Sequence, residues 1–471
     1  MKQSDTVNVQ IESFLQGRNV TVPFDLDIDI DGQTYACSKV LRLLPGKRLV
    51  VKAEFEGKSY VIKIFSNAQK GQRELKRELS GYRLAQKSGI RLAPLEFVSD
   101  DIEDYSAVAY AFIAHAKPFE DAHSLLSLYA EHLLDLVSRL HNSGIYQDDF
   151  HLDNILIADE CLFLIDLASV KSERENTPLS KQRSFENLAM LIVQFIPKQQ
   201  QILIDKLAHY YEKRGWSWAQ AEQDEFGTYV NQVWQQRKTL YLKKRFRSCT
   251  MTAYEKTFSQ QFSFRRSFLE EVGSDFVNNI DTLVNQGELL KDGNSATVVK
   301  LSYAGKQLVI KRYNIKSVWH GLKRCCRPSR AAVSWRNGNL LELMGIATPK
   351  ALGFIEQRFG WLRKRAYLIC EYSDGQELFD EYQSRSPTPA ELVQLKEIFN
   401  LLDRYKVSHG DLKASNLLLD KQGQIMMIDL DAMHEHFDNN KFKKSFQKDK
   451  NRFLKNWNKS DLKMTFENLF L

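Results

Sequence analysis

Two stretches of this 471-residue chain carry the same few polar residues at the same spacing. In "HGDLKASNLLLDKQGQIMMIDLDAM", Asp411 and Asn416 lie five positions apart, Lys413 stands two after Asp411, and Asp429 follows an apolar run. In "QDDFHLDNILIADECLFLIDLA", Asp149 and Asn154 keep that interval and Asp166 follows "LFLI". Upstream of each, an alternating strand pattern carries a lysine: Lys63 in "SYVIKIF" and Lys311 in "QLVIKRY". These are the parts that phosphoryl transfer needs. A carboxylate sits by the acceptor hydroxyl, an Asn and a second Asp hold magnesium, and a lysine meets the nucleotide phosphates, because the reaction depends on positioning and charge neutralisation more than on covalent chemistry. Lys413 falls where a cation would touch the transferring phosphate. ATP and Mg2+ are the expected cofactors.

Each element alone is weak. An Asp after an apolar strand is commonly a turn residue, and a strand lysine is usually only solvated. The whole set in one order, twice in one chain, is hard to ascribe to coincidence, and its spacing is that of the protein-kinase catalytic loop. The expected fold is α+β: two tandem protein-kinase-like domains, each with a small strand-rich N-lobe and a helical C-lobe. A repeat this long means tandem domains rather than a solenoid. The expected boundaries are 1–247 and 275–471, with 248–274 as a linker because "SCTMTAYEKTFSQQFSFRRS" lacks a clear core pattern.

The elements between the motifs fit that plan, with departures. "RELKRELSGYRLAQKSGI" reads as a helix ending at Gly89 and carries Glu78, the expected partner of Lys63. Its counterpart, "SRAAVSWRNGNLLELMGI", has Ser334 at the equivalent place, which leaves Lys311 to Glu342 or another carboxylate. "AYLICEYSDG" reads as a buried strand entering a hinge, where backbone groups near Glu371 and Tyr372 are expected to hold adenine. In the first repeat Gln147 replaces His409, and His151 stands where the second has Lys413. Asp-x-His is the form of small-molecule kinases of the aminoglycoside and choline type, which favours a sugar hydroxyl as acceptor. The phosphate-covering loops "LLPGKRLVV" and "LKDGNSATVVK" have one glycine each, and "EGKSY" reads as a hairpin turn rather than a Walker loop. "HEH" at 434–436 lacks the i, i+4 histidines of a zinc helix.

Bulk properties exclude other classes. Hydrophobic content of 43% and charged content of 27% describe a globular, not a disordered, chain. The apolar run "NLAMLIVQFIP" is far short of the roughly 20 residues that span a bilayer, and the N-terminus has no secretory pattern. Six cysteines without a CxxC pair, two of them adjacent at 325 and 326, read as reduced thiols in the cytoplasm. The net charge of +7 is concentrated at 237–247, 316–330 and 441–459, which favours an acidic partner. In the last of these, Phe442, Phe446, Phe453 and Trp457 fall near one helical face, a pattern of a final helix packed on its own lobe, with lysines left to meet an anionic surface.

"RPSRAAVSWRNGNLLELMGIATPKALG", "HGDLKASNLLL", "MIDLDAM" and "KDKNRFLKNW" together resemble the bacterial lipopolysaccharide core kinases, the Kdo and heptose kinase family. The resemblance covers both halves and is strongest in the second. It implies ATP- and magnesium-dependent transfer to a heptose or Kdo hydroxyl of the lipopolysaccharide inner core, at the cytoplasmic face of the inner membrane. By resemblance Asp411 or Asp149 is the base, Asn416, Asp429, Asn154 and Asp166 hold magnesium, and Lys311 and Lys63 bind phosphates. The expected partners are a core sugar or glycolipid acceptor and an anionic inner-membrane surface, without nucleic acid. Two other readings compete: a serine/threonine-type protein kinase, on "HGDLKASN", and one active domain regulated by a pseudokinase domain, on the missing helix Glu.

Overall fold

The computed structural model describes residues 26–102, 105–119, 125–174, 177–293, 295–314, 327–457 and 460–470. Cys325, Cys326, Lys459 and most of the 316–330 basic stretch lie outside the described residues. The fold mixes helices with antiparallel strands in two compact units, Met1–Trp234 and Gln235–Leu471, the division falling within helix Gln220–Lys244.

The first unit opens with a six-stranded antiparallel sheet in the order Leu26–Ile30, Gln33–Leu44, Arg48–Phe55, Lys58–Ser66, Tyr105–Ala111, Leu95–Ile102. Side chains alternate between its faces. Leu49, Val51, Ala53, Ile62 and Ile64 fill one face with Ile28, Tyr35 and Tyr105. Arg48, Val50 and Lys63 therefore share the other, with Val50 opposite Lys63 in register. "EGKSY" forms the hairpin turn, Glu56 and Gly57 both having positive φ. Helix Gln69–Lys87 buries Gly71, Leu75, Glu78, Tyr82 and Ala85, a stripe at intervals of three or four that turns Glu78 inward among apolar neighbours. At Gly81 a Cβ would stand 1.8 Å from the Leu167 carbonyl oxygen, so only glycine lets the helix close on the turn after Asp166. Below come helix Leu126–Asn142, the strand pair Ile145–Gln147 with Val170–Ser172, and hairpin Ile155–Ala158 with Cys161–Leu164.

The second unit has two strands and three short helices first, and then three strands, a helix and two strands in the order seen around Lys63. Its seven-stranded sheet runs Thr252–Lys256, Gln260–Arg265, Ala351–Phe359, Leu362–Glu371, Lys306–Tyr313, Ala296–Tyr303, Glu288–Gly293. Val298 lies opposite Lys311, as Val50 lies opposite Lys63. Helix Arg330–Met344 is capped by Ser329, whose side chain accepts from the Ala332 N–H, and is closed by Gly345 in the left-handed region. Helix Pro389–Arg404 starts on a capping box between Thr388 and Glu391. Hairpin Leu417–Leu419 with Ile425–Met427 and pair Val407–Ser408 with His434–Glu435 complete the lower part.

Residues 248–274 are not a linker. They form two strands of the second sheet and helix Arg266–Val272. Phe264, Phe268 and Phe276 pack there into a core with Ile280, Leu308 and Tyr367. Phe264 lies on a six-residue strand and Phe268 and Phe276 on helices of seven and five residues, each too short to show a period in sequence.

The C-terminal aromatics are core. Phe442, Phe446, Phe453 and Trp457 are buried in and after helix Asn439–Leu454, against Phe399, Tyr382, Phe466 and Phe470. Lys441, Lys443, Lys444, Lys448 and Lys455 remain exposed.

Candidate active site

In the second unit a cleft of about 490 Å³ brings Lys311, Asp411, Lys413, Asn416 and Asp429 together. Lys311 comes from the sheet. Asp411, Lys413 and Asn416 come from the loop after Val407–Ser408, and Asp429 from the turn after Ile425–Met427. A backbone bond from the Ile428 N–H to the Asn416 carbonyl at 3.0 Å ties the loop to that turn. Asp429 itself adopts φ +61°, a left-handed conformation that is uncommon outside glycine and turns its carboxylate into the cleft.

Lys311 Nζ lies 2.5 Å from Asp429 Oδ1 and 3.8 Å from Asp431 Oδ2. Asp431 in turn accepts from Arg330 Nε at 2.9 Å and is ion-paired with its Nη2 at 2.6 Å. The expected partner Glu342 is engaged elsewhere, paired with Arg265. Ser334 hydrogen-bonds the Tyr313 hydroxyl at 3.0 Å instead. Asp431, two residues after Asp429, is thus the second carboxylate within 4 Å of Lys311 among the described residues. Burial alone would raise the Asp429 carboxyl, but the Lys311 ammonium and then Arg330 outweigh it and hold it below its ordinary value. At Asp431 burial prevails against Lys311, and repulsion by Asp429 adds to the rise.

Asp411 is held from three sides. Its Oδ1 lies 3.1 Å from Arg452 Nη1 and its Oδ2 3.1 Å from Lys413 Nζ. Asn416 Nδ2 donates to the Asp411 carbonyl at 2.7 Å. His409 is fully buried, its Nε2–H donating to the Ile428 carbonyl at 3.0 Å, and burial lowers its pKa. The Asp449 carboxylate accepts from the His409 and Gly410 N–H groups at 2.7 and 3.0 Å, fixing the loop from beneath. Arg330, Asp431, Asp449 and Arg452 are functional candidates that motif spacing missed, although all four fall in stretches whose pattern is visible in the sequence.

The cleft continues into an apolar slot. Val298 and Val309 come from the sheet and Leu418 from the hairpin below, with Leu368 and Cys370 also lining it. The N–H groups of Glu371 and Tyr372 are committed to the carbonyls of Lys350 and Gln307, at 3.0 and 2.9 Å. Those two donors are therefore not free for a ligand, although both residues line the cleft. The slot's polar edge runs on through Ser373 and Gly375.

The first unit brings its set together differently. Lys63 Nζ lies 2.5 Å from Glu78 Oε1, which also accepts from the Tyr110 hydroxyl at 2.9 Å. Asp166 has φ +55° and stands 3.8 Å from Lys63, so the expected pair meets. Arg48, only 4% exposed, lies 3.2 Å from Asp166 Oδ1 and 3.4 Å from Oδ2, and Arg42 lies 3.1 Å from Oδ2. Burial raises the Asp166 carboxyl, but Lys63, Arg48 and Arg42 together lower it. Asp149 is exposed and pairs with His151 at 3.0 Å, and Asn154 reaches the Asp149 carbonyl at 3.4 Å. Gln147, at the place of His409, is fully buried with neither side-chain polar atom hydrogen-bonded, so the loop lacks the anchor that His409 provides.

Comparison with known proteins follows this geometry. Residues 282–467 match the model of the lipopolysaccharide kinase (Kdo/WaaP) family. The chain is 33% identical over 84 residues to CBL-interacting serine/threonine-protein kinase 7 of Arabidopsis thaliana, a match spanning 16% of this chain and 20% of that kinase's length. Among solved structures it is similar to WaaP in complex with acyl carrier protein, at 18% identity and a TM-score of 0.32, covering 43% of this chain and 88% of the other. The family resemblance read from the motifs is thereby borne out in the C-terminal part of the chain, where residues 282–467 carry the sequence pattern of the lipopolysaccharide kinase (Kdo/WaaP) family.

Proposed function

We propose that the protein is an ATP-dependent kinase that phosphorylates a heptose or Kdo hydroxyl of the lipopolysaccharide inner core, and that the second of two tandem kinase-like domains carries the chemistry. One observation supports this above all: Lys311, Asp411, Lys413, Asn416 and Asp429 converge on one cleft within the stretch that matches the family. The domains are taken as the two units, with strands 252–256 and 260–265 belonging to the second.

The adenine ring is assigned to the slot between Val298, Val309 and Leu418. Lys311, steadied between Asp429 and Asp431, meets the nucleotide phosphates. Asp411 is the base: its carboxylate orients the sugar hydroxyl and accepts its proton as the hydroxyl oxygen forms a bond to the γ-phosphorus and the bond to ADP breaks. Lys413 and Arg452, both about 3.1 Å from that carboxylate, offset the charge that builds on the phosphoryl oxygens. The donor set suits magnesium, which prefers hard oxygens. Asp429 is ionised, and because Asn416 Nδ2 is committed to the Asp411 carbonyl, its Oδ1 is the end left for a cation. Asn416 and Asp429 would hold the ion, which when bound neutralises phosphate oxygens. No described helix is long and apolar enough to cross a membrane. We assign the exposed lysines of the C-terminal helix to peripheral contact with anionic lipid, beside the membrane-anchored acceptor.

The test is transfer of labelled γ-phosphate from ATP to dephosphorylated inner-core oligosaccharide by the purified chain, with the phosphorylated sugar located by mass spectrometry. Phosphate on a core heptose or Kdo supports the proposal. Transfer to a protein substrate in preference to the sugar sinks it.

A further inference from the structure

The first unit's Asp166 does not fit a magnesium ligand. Both of its carboxylate oxygens are met by guanidinium groups of Arg48 and Arg42, and Lys63 stands third. Among the described residues, the second unit's Asp429 has one lysine or arginine within 4 Å, Lys311. Strand register explains the difference. Arg48 lies two positions before Val50, the residue opposite Lys63, and the corresponding residue in the second unit is Ala296, two before Val298. A methyl group leaves open the space that the buried Arg48 side chain fills. Arg42 likewise pairs with Val50 where Lys291 pairs with Val298.

Beside this clamp lies a hollow of about 910 Å³, to which helix Gln69–Lys87 adds Lys76 and Arg77. Its cationic side, Arg42, Arg48, Lys76, Arg77 and Lys171, faces the carboxylates of Glu74, Asp148, Asp149 and Asp153. Val50, Val61 and Leu156, the register counterparts of Val298, Val309 and Leu418, do not line it. We propose that the first unit is a magnesium-independent site for a phosphate group of a non-nucleotide ligand, with Arg42, Arg48 and Arg77 supplying the charge that a divalent cation supplies to a kinase. Guanidinium suits this role, being always charged and able to grip phosphate through two parallel N–H bonds.

The full chain carrying Asp429→Asn, which removes the second unit's metal ligand, isolates the question. Two measurements are made on it: Mn2+ binding by electron paramagnetic resonance with ATP present, and calorimetric titration with tripolyphosphate in excess chelator. The proposal expects no bound Mn2+, and tripolyphosphate binding that weakens at least about tenfold on adding Arg42→Ala and Arg77→Ala, two exposed positions whose loss leaves the thermal melt unchanged. The share of ATP binding in chelator that is lost with Arg42→Ala and Arg77→Ala should be no tighter than tripolyphosphate binding. Stoichiometric Mn2+ that disappears on further Asp166→Asn would overturn the proposal. So would tripolyphosphate binding that is absent or indifferent to Arg42 and Arg77. Tenfold tighter ATP binding that is lost with Arg42 and Arg77 would overturn the non-nucleotide assignment. None of these results depends on whether the second unit phosphorylates a core sugar.

Discussion

Asp431→Asn is the substitution that tests how Lys311 is held. The carboxylate is 8% exposed, accepts a hydrogen bond from Arg330 Nε, lies 2.6 Å from Arg330 Nη2 and stands 3.8 Å from Lys311 Nζ. Asparagine keeps the shape and one acceptor oxygen but removes the charge. Hydrogen bonds to charged groups contribute about 1.5–3 kcal/mol each. Asparagine retains part of one, and Arg330 is 27% exposed and can recover water, so the loss of stability should be about 2 kcal/mol. The effect on function should be more selective. Among the described residues Lys311 is left with Asp429 as its only anion within 4 Å and is drawn further onto the carboxylate assigned to the metal. ATP affinity should therefore fall about 10–30-fold, since each tenfold is about 1.4 kcal/mol, while single-turnover transfer at saturating ATP changes less than about fivefold. Urea denaturation gives the stability, and a KM-against-kcat comparison separates the two effects. An ATP KM within twofold of wild type, with denaturation unchanged, would refute the idea that Asp431 replaces the helix carboxylate.

In the first unit, Glu78→Ala leaves Lys63 buried without its closest partner, and breaking such a pair costs about 3–5 kcal/mol; urea denaturation should show that loss, while sugar phosphorylation by the chain that remains folded stays near wild type, and a matching loss of transfer rate would contradict the division of labour. His141 is fully buried between the Tyr210 hydroxyl (2.6 Å) and Asn187 Oδ1 (3.1 Å), and burial lowers its pKa to about 3. The unfolded chain therefore binds a proton below about pH 6.5 that the folded chain refuses, so stability falls as pH drops, by about 1.4 kcal/mol per unit and about 2 kcal/mol between pH 6.5 and 5. His141→Gln should flatten that slope, and an unchanged slope refutes the assignment. Binding to anionic vesicles should weaken as salt rises and on replacing Lys441, Lys444 and Lys448 by Glu, each cation contributing about 1 kcal/mol at most; sedimentation with vesicles that is indifferent to both would remove the electrostatic contact.

Much of the second unit's cleft was legible because strand lysine, loop and second Asp are each short local patterns, and Glu78 could be matched to Lys63 because it sits on an apolar helical stripe. The partner of Lys311 was not legible. Choosing between Glu342 and Asp431 requires knowing that Asp429 takes a positive φ and that Arg265, itself in a stretch read as linker, captures Glu342. The linker was misread because Gln260–Arg265 is a six-residue strand whose aromatics are paired by tertiary contact rather than by a visible period. The clamp on Asp166 was hidden for a related reason. The residues before Val50 and Val298 differ in type, and only strand register shows that Arg48 and Ala296 occupy the same place. At the hinge the sequence located the strand end, but which N–H groups remain open depends on pairings with Lys350 and Gln307 that no local motif reports.

The central claim is that the second unit performs the chemistry, and the most direct measurement compares Asp411→Ala with Asp149→Ala in single-turnover phosphate transfer to inner-core oligosaccharide at saturating ATP and magnesium. Asp411 is gripped by Lys413 and Arg452 in a cleft with an open metal ligand, whereas Asp149 is exposed beside a clamped Asp166. Loss of a general base typically costs about 10²–10⁴-fold, so Asp411→Ala should slow transfer by that factor and Asp149→Ala by less than about threefold. Full activity in Asp411→Ala with none in Asp149→Ala would contradict the account and hand the reaction to the first unit.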